Sequence, residues 1–188
     1  DFANESIGRL AAKLSEVVLY MKKMSKIVIC AVAGACAGGA ANLAFACDFI
    51  YAADNAKFLQ AFVGIGLCPD TGGVYTLPRM IGTHRAFDMF VTGRIVAAQE
   101  AYDIGLVKAV TTKEELLPTV YAFAEKLTKG PTLAYRNMKK LMFESMYKGF
   151  EEYMKAESVY LGECSSSEDF KEGITAFLEK RPAEFKGK

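Results

Sequence analysis

Charge of one sign is not in excess in this chain of 188 residues: 23 Lys and Arg stand against 22 Asp and Glu. That balance lacks the electrostatic footprint of a nucleic-acid binder. No apolar stretch runs uninterrupted for about 18 residues, so no membrane-spanning helix or membrane insertion is expected. The opening DFANESIGRL has no basic segment leading into an apolar run, as a secretory signal peptide would, and no initiator Met. Asp1-Phe2 reads like the inside of a longer protein. Histidine occurs once, as His84, and the five cysteines (Cys30, Cys36, Cys47, Cys68, Cys164) contain no CxxC pair. A zinc site needs closely spaced ligands and more than one His, so no metal is expected. An odd set of Cys in mostly apolar surroundings reads as free buried thiols in a reducing, cytoplasmic compartment. His84, between Thr83 and Arg85, reads as a helix-entry residue rather than a base.

The hydrophobic fraction, 52%, excludes disorder, and the length suits one domain or one domain with a helical appendage. Ile7, Leu10, Ala11, Leu14, Val17, Val18 and Met21 recur at helical spacing, with Asn4 as N-cap. The β-branched run Ile27 to Val32 reads as a buried strand of a sheet covered on both faces. A small-residue segment to Ala41 follows, then helix from Asn42 to Cys47, a strand over 48–52 and another over 57–62. That order predicts an α/β fold. Helices are expected from Gly72-Gly73, over 84–92 and over 98–104, the last closed by Gly105, with a short strand over 106–110. Thr112 and Glu115 form a capping box, and further helices follow over 131–147, 150–162 and 167–179. Residues 1–110 read as an α/β core and 111–188 as a helical region. Its Met, Tyr and Phe suit either oligomerisation or an ordinary helical core.

Two segments could carry chemistry. Gly38-Gly39 lies between a strand and a helix, where small residues let the backbone approach a ligand and free N–H groups favour an oxyanion. Tight strand–helix packing explains the pair equally well. The spacing is neither a Walker loop nor GxGxxG. In Gly66-Leu67-Cys68-Pro69-Asp70-Thr71-Gly72-Gly73, the carboxylate of Asp70 follows a stretch almost without charge. It reads as an N-cap, or as a proton-transfer base whose pKa is raised by an apolar wall.

Together these segments resemble the crotonase (enoyl-CoA hydratase/isomerase) superfamily. The resemblance rests on Val28 to Gly34 leading through Ala37-Gly38-Gly39 to Ala46-Cys47-Asp48-Phe49-Ile50-Tyr51-Ala52, and on Ala56-Lys57-Phe58. It continues through Gly64 to Gly73, Leu77-Pro78-Arg79, Thr92-Gly93-Arg94, Ala98-Gln99-Glu100-Ala101 and Gly105-Leu106-Val107. It ends at Glu172 to Arg181, so it covers essentially the whole chain.

The resemblance implies a crotonase-like ββα spiral core, incomplete at its N-terminus, followed by a C-terminal helical trimerisation region. It implies an acyl-CoA thioester substrate, with coenzyme A as part of the substrate and no separate cofactor. Two backbone N–H groups would stabilise the thioester enolate, one of them on Gly39. The other donor, the first strands and much of the adenine pocket are expected before residue 1. This chain thus reads as the back two-thirds of a larger enzyme.

Hydratases of the superfamily use two glutamates. Here Asn42 matches the first position and Phe62 the second, which disfavours two-carboxylate hydration. Asp70 matches the proton-shuttling carboxylate of several isomerases, and Gln60-Ala61-Phe62 resembles the phenylacetate-pathway isomerase branch. An enoyl-CoA isomerase with Asp70 and Gly39 as catalytic groups is expected. Gly38, Asn42, Phe62, Gly72, Phe177 and Lys180 are expected to contact substrate, the last two on the CoA of a neighbouring subunit in a homotrimer or homohexamer. Asn42 reads equally as helix packing, and Lys180 as a solvated end. The alternatives are a hydratase or lyase, and a non-catalytic module binding acyl-CoA, a protein or RNA.

Overall fold

The first helix, α1 (Phe2–Lys23), packs against the late helix α8 (Phe150–Ser166), bringing distant parts of the chain side by side. The structure is a computed structural model describing residues 2–188, with side chains from residue 8 onward. Because α1 begins at Phe2, Asn4 lies inside the helix and not at its cap; the side chains of Asn4 and Ile7 lie outside the described residues. The buried face of α1 is also turned from the one periodicity picks out. Ala11, Ser15, Val18 and Lys22 are buried, while Leu10 and Val17 are 59% and 46% exposed. The elements packed on α1 are the cause: they offer a carboxylate, Glu157, to Ser15 and an aromatic ring, Tyr147, to the Lys22 ammonium.

Strands β1 (Ile29–Val32), β3 (Phe49–Ala53) and β6 (Ala109–Thr111) form a parallel sheet in the order β1-β3-β6. A second sheet joins β2 (Ala35–Ala37), β4 (Lys57–Leu59) and β5 (Val96–Ala97), with β2–β4 parallel and β4–β5 antiparallel. Among the described residues β1 lies at the sheet's edge, with Ala31 exposed. It is the central strand β3 that is buried, from Ile50 to Ala53. Strand β2 sits unforeseen within the small-residue segment. The strand expected over 57–62 stops at Leu59, and Phe62 lies in a 3-10 turn over Ala61–Ile65. The strand expected over 106–110 is displaced to β6, because Leu106 and Val107 turn into the core behind the left-handed Gly105 (φ 79°).

Helix α2 (Gly39–Phe45) connects the sheets, and α3 (Gly73–Ile81), α4 (Thr83–Thr92) and α5 (Ala98–Asp103) cover them. Phe45, Phe58, Leu77, Met89 and Leu106 are among the buried side chains of the shared core. Helix α6 (Lys113–Thr128) starts as its capping box predicts, Thr112 Oγ1 accepting from the Glu115 N–H at 3.3 Å. Helix α7 (Thr132–Met146) is tied down by Lys139, which donates to Asp48 at 2.6 Å. It buries no residue, so its apolar side chains, such as Leu141 and Met142, are surface rather than core. Helix α9 (Glu168–Glu179), capped by Ser167, lies on the 3-10 turn; a Cβ on Gly173 would meet the Ile65 backbone at 2.6 Å. Among the described residues no helix is long and apolar enough to cross a membrane.

Candidate active site

Strand β2 ends at Ala37, and the next residue, Gly38, has φ 55° and ψ −129°, which favour a residue without a side chain. Its N–H donates to the Leu59 carbonyl at 3.0 Å, and a Cβ there would face the Phe62 ring at 3.6 Å. Gly39 then opens α2, where a first-turn N–H has no intrahelical acceptor. A Cβ on Gly39 would lie 3.5 Å from Asp70 Oδ1, 3.6 Å from Thr71 Oγ1 and 3.6 Å from Leu14 Cδ1. The carboxylate therefore packs directly on the glycine that begins the helix.

Asp70 is half-buried, and burial pushes its carboxyl above the usual range. The Thr71 hydroxyl, donating to Oδ1 at 2.6 Å, pulls the other way by favouring the charged form. Thr71 is buried and left-handed at φ 56°, followed by Gly72 at φ 75°. A β-branched residue with positive φ is strained, so its neighbours must hold it there.

Asn42 is wholly buried and spends both ends of its amide within the protein. Nδ2 donates to the Asp70 carbonyl at 2.8 Å and Oδ1 accepts from Gln60 Nε2 at 2.9 Å, while Gln60 Oε1 has no partner. Gly73 leaves room for this amide, since a Cβ on it would collide with Asn42 Nδ2. Phe62 is 7% exposed and packs with Ala11, Leu67, Leu161 and Phe170. Gly38, Gly39, Asn42, Phe62, Asp70 and Gly72 are thus brought together.

Gly72 differs from expectation in what it offers. It is buried, its N–H donates to Glu157 at 3.0 Å, and a Cβ would strike the Phe150 ring, so it presents no donor to a ligand. Phe177 and Lys180 stand apart, exposed at the C-terminal end of α9, whose buried face is Phe170, Gly173 and Ala176. His84 is exposed in the first turn of α4.

Sequence reasoning missed Glu157, whose carboxylate accepts from Gly72, Tyr153 and Ser15. A signal was there. In α8 it shares the buried face with Phe150, Leu161 and Ser165, an acidic residue at core phase. Among the described residues no three His, Cys, Asp or Glu converge as a metal ion would require. An apolar cavity of about 570 Å³ between α7 and the core, lined by Phe45, Met80, Met138 and Met142, shares no residue with the Asp70 cluster.

The glycine–carboxylate arrangement occurs within a chain that matches one family almost throughout: the description enoyl-CoA hydratase/isomerase fits residues 5–188. The chain belongs to this family. Its fold is that of the crotonases. The crystal structure of an enoyl-CoA hydratase from Mycobacterium avium subsp. paratuberculosis K-10 superposes with a TM-score of 0.91 at 29% identity, covering 95% of this chain and 72% of that one. Among curated relatives, the trans-2-decenoyl-(acyl-carrier-protein) isomerase of Streptococcus mutans is 36% identical over 98% of this chain and 70% of its own length. The crotonyl-CoA hydratase of Syntrophomonas wolfei is 42% identical over 95% and 67%. The 1,2-epoxyphenylacetyl-CoA isomerase of Escherichia coli is 36% identical over 92% and 66%. The chain spans about two thirds of the length of these relatives. Their names divide between hydratase and isomerase.

Proposed function

We propose that this crotonase is an enoyl thioester isomerase that shifts a double bond by proton transfer through Asp70. The observation that carries this reading is the Asp70 carboxylate packed on Gly39, its Oδ1 3.5 Å from where a Cβ would sit. In the proposed reaction the Asp70 carboxylate takes a proton from C2 of a 3-enoyl thioester. The electron pair delocalises into a dienolate whose charge rests on the thioester oxygen. Asp70 then returns the same proton to C4, giving the conjugated 2-enoyl product with no gain or loss of atoms. The Gly39 N–H holds the oxyanion, partnered by a donor from a preceding segment of the whole protein. Such a donor supplies about 2.7–4 kcal/mol of transition-state stabilisation. The raised carboxyl of Asp70 suits both the taking and the giving of a proton.

Phe62 closes the far side of Gly38 with an apolar ring and keeps water from the dienolate. Asn42 and Gly72 support the turn that carries Asp70. Phe177 and Lys180 reach the CoA of a neighbouring subunit in a trimer or hexamer, in a cytoplasmic setting. Hydration is the second reading, favoured by the several hydratases among the relatives. It needs two carboxylates at the reacting atoms. Asn42 and Phe62 provide none, and the oxygens of Glu157 are occupied by protein donors.

The test is to give the complete protein 3-enoyl-CoA and 2-enoyl-CoA in parallel, with the same acyl groups on an acyl carrier protein, for wild type and Asp70→Asn. Conjugated thioester forming from the 3-enoyl substrate and lost in the variant is the expected result. Hydration of 2-enoyl-CoA that survives Asp70→Asn overturns the proposal.

A further inference from the structure

A second carboxylate lies beneath the Asp70 turn and has no part in the proposed proton transfer. Glu157 is 7% exposed, in the middle of α8. Burying a carboxylate is costly, and an apolar side chain of similar size would ordinarily serve stability as well or better. This one is fully engaged. Oε2 accepts from the Gly72 N–H at 3.0 Å and the Tyr153 hydroxyl at 2.6 Å; Oε1 accepts from Gly72 at 3.2 Å and Ser15 Oγ at 3.4 Å. None of these donors is a cation. They come from α1, α8 and the turn before α3, so the carboxylate joins three elements at one point.

What it holds is the strained part of the turn. Thr71 and Gly72 are successive left-handed residues, and that geometry swings the Thr71 hydroxyl onto Asp70 Oδ1. Asn42 clamps one side through the Asp70 carbonyl, and Glu157 clamps the other through the Gly72 N–H. We infer that Glu157 is a positioning residue for Asp70: its carboxylate anchors the Gly72 N–H and so fixes the Asp70 carboxylate beside Gly39. This inference rests on the reading of Asp70 as the base.

Its own ionisation answers to the groups around it. Burial raises Glu157, the Tyr153 and Gly72 donors lower it, and the nearby Asp70 charge raises it. The groups that face Glu157 are Tyr153 on α8, Ser15 on α1, and Cys68 and Asp70 on the loop before α3.

The test uses the complete protein with Glu157→Ala and Glu157→Gln. Two readouts are taken: turnover of 3-enoyl-CoA against pH, and the titration of the Asp70 carboxyl by carbon NMR. Glu157→Ala loses the anchor, so kcat falls on the order of 10- to 100-fold while KM stays within about twofold. Glu157→Gln keeps an amide oxygen for the Gly72 N–H and recovers most of that turnover. In Glu157→Ala the loosened turn opens Asp70 to water, so its burial-raised titration and the rising pH limb move to lower pH, while both stay near wild type in Glu157→Gln. Unchanged kcat in a folded Glu157→Ala protein overturns the inference, as does an unmoved Asp70 titration in that protein. If Glu157→Ala does not fold, Glu157→Gln decides alone: a folded Glu157→Gln protein that loses turnover overturns the inference. If the wild type shifts no double bond, the isomerase reading fails, and the Asp70 titration in Glu157→Ala still decides whether Glu157 positions Asp70.

Discussion

The side-chain amide of Asn42 donates to the main-chain carbonyl of Asp70 at 2.8 Å. At the position where a two-glutamate hydratase is expected to keep a carboxylate, this chain keeps a clamp on the backbone of another carboxylate. The bond holds the Asp70 backbone and leaves its carboxylate for the proposed proton transfer.

Asn42→Ala leaves the Asp70 carbonyl and Gln60 Nε2 without their partner inside the core. A loss of about 1–3 kcal/mol in urea unfolding is expected, with a fall in kcat as the turn loosens. Wild-type stability and turnover together count against the clamp.

Asp70→Asn removes a half-buried carboxyl whose pKa is raised. A raised carboxyl binds protons more tightly in the folded state, so its contribution to stability is present at low pH and declines as pH rises through its folded value. The variant should therefore have a higher Tm than wild type at neutral pH, a gap that closes as the pH falls below the ordinary carboxylate range. It should also lose about 10²–10⁴-fold in isomerisation. Calorimetry at two pH values measures the difference. A lower Tm for the variant at neutral pH would mean that the charged carboxylate stabilises the fold.

Phe62→Ala opens a cavity beside Gly38 and costs about 3–5 kcal/mol by chemical denaturation. Water gains access to the proposed dienolate. In deuterated water the wild type should pass most of its proton internally, and the variant should place more deuterium at C4 of the product. Equal deuterium in both proteins excludes the water-excluding role of Phe62.

Gly173→Ala drives a methyl into the Ile65 backbone, which unlike a side chain has no rotamer to yield. The cost should be about 1–3 kcal/mol, read from the urea midpoint. Because α9 presses the 3-10 turn that carries Phe62, the variant should share the raised deuterium incorporation of Phe62→Ala. A thermal and isotopic profile like wild type would show that α9 does not brace this wall.

Much of the molecule was legible from local pattern. The helices from α6 to α9 begin close to where the sequence pattern places them, although α8 runs on to Ser166 and not to 162; Thr112 and Ser167 each bond within three residues of themselves. The glycine pair and the Asp70 turn were legible too, and the ordered motifs pointed to the family that the whole-chain match established. Strand β2 was not, since Ala35-Cys36-Ala37 has no alternation of its own and becomes a strand only by pairing with Lys57 to Leu59. The buried face of α1 was also misjudged. Hydrophobicity favours Leu10 and Val17, but the helix turns Ser15 and Lys22 inward to meet groups more than a hundred residues away.

By itself, then, the sequence determined the superfamily, the order of elements, and the two segments where chemistry could sit, because those signals lie within a few residues of one another. Only the tertiary structure decided which donors are already taken. The Gly72 N–H is consumed by Glu157, the Asn42 amide by Asp70 and Gln60, and the Gly38 N–H by Leu59. Hydrogen-bond saturation depends on what packs across from a residue. The contacts that leave Gly39 beside Asp70 and draw Glu157 beneath it come from segments distant in the chain.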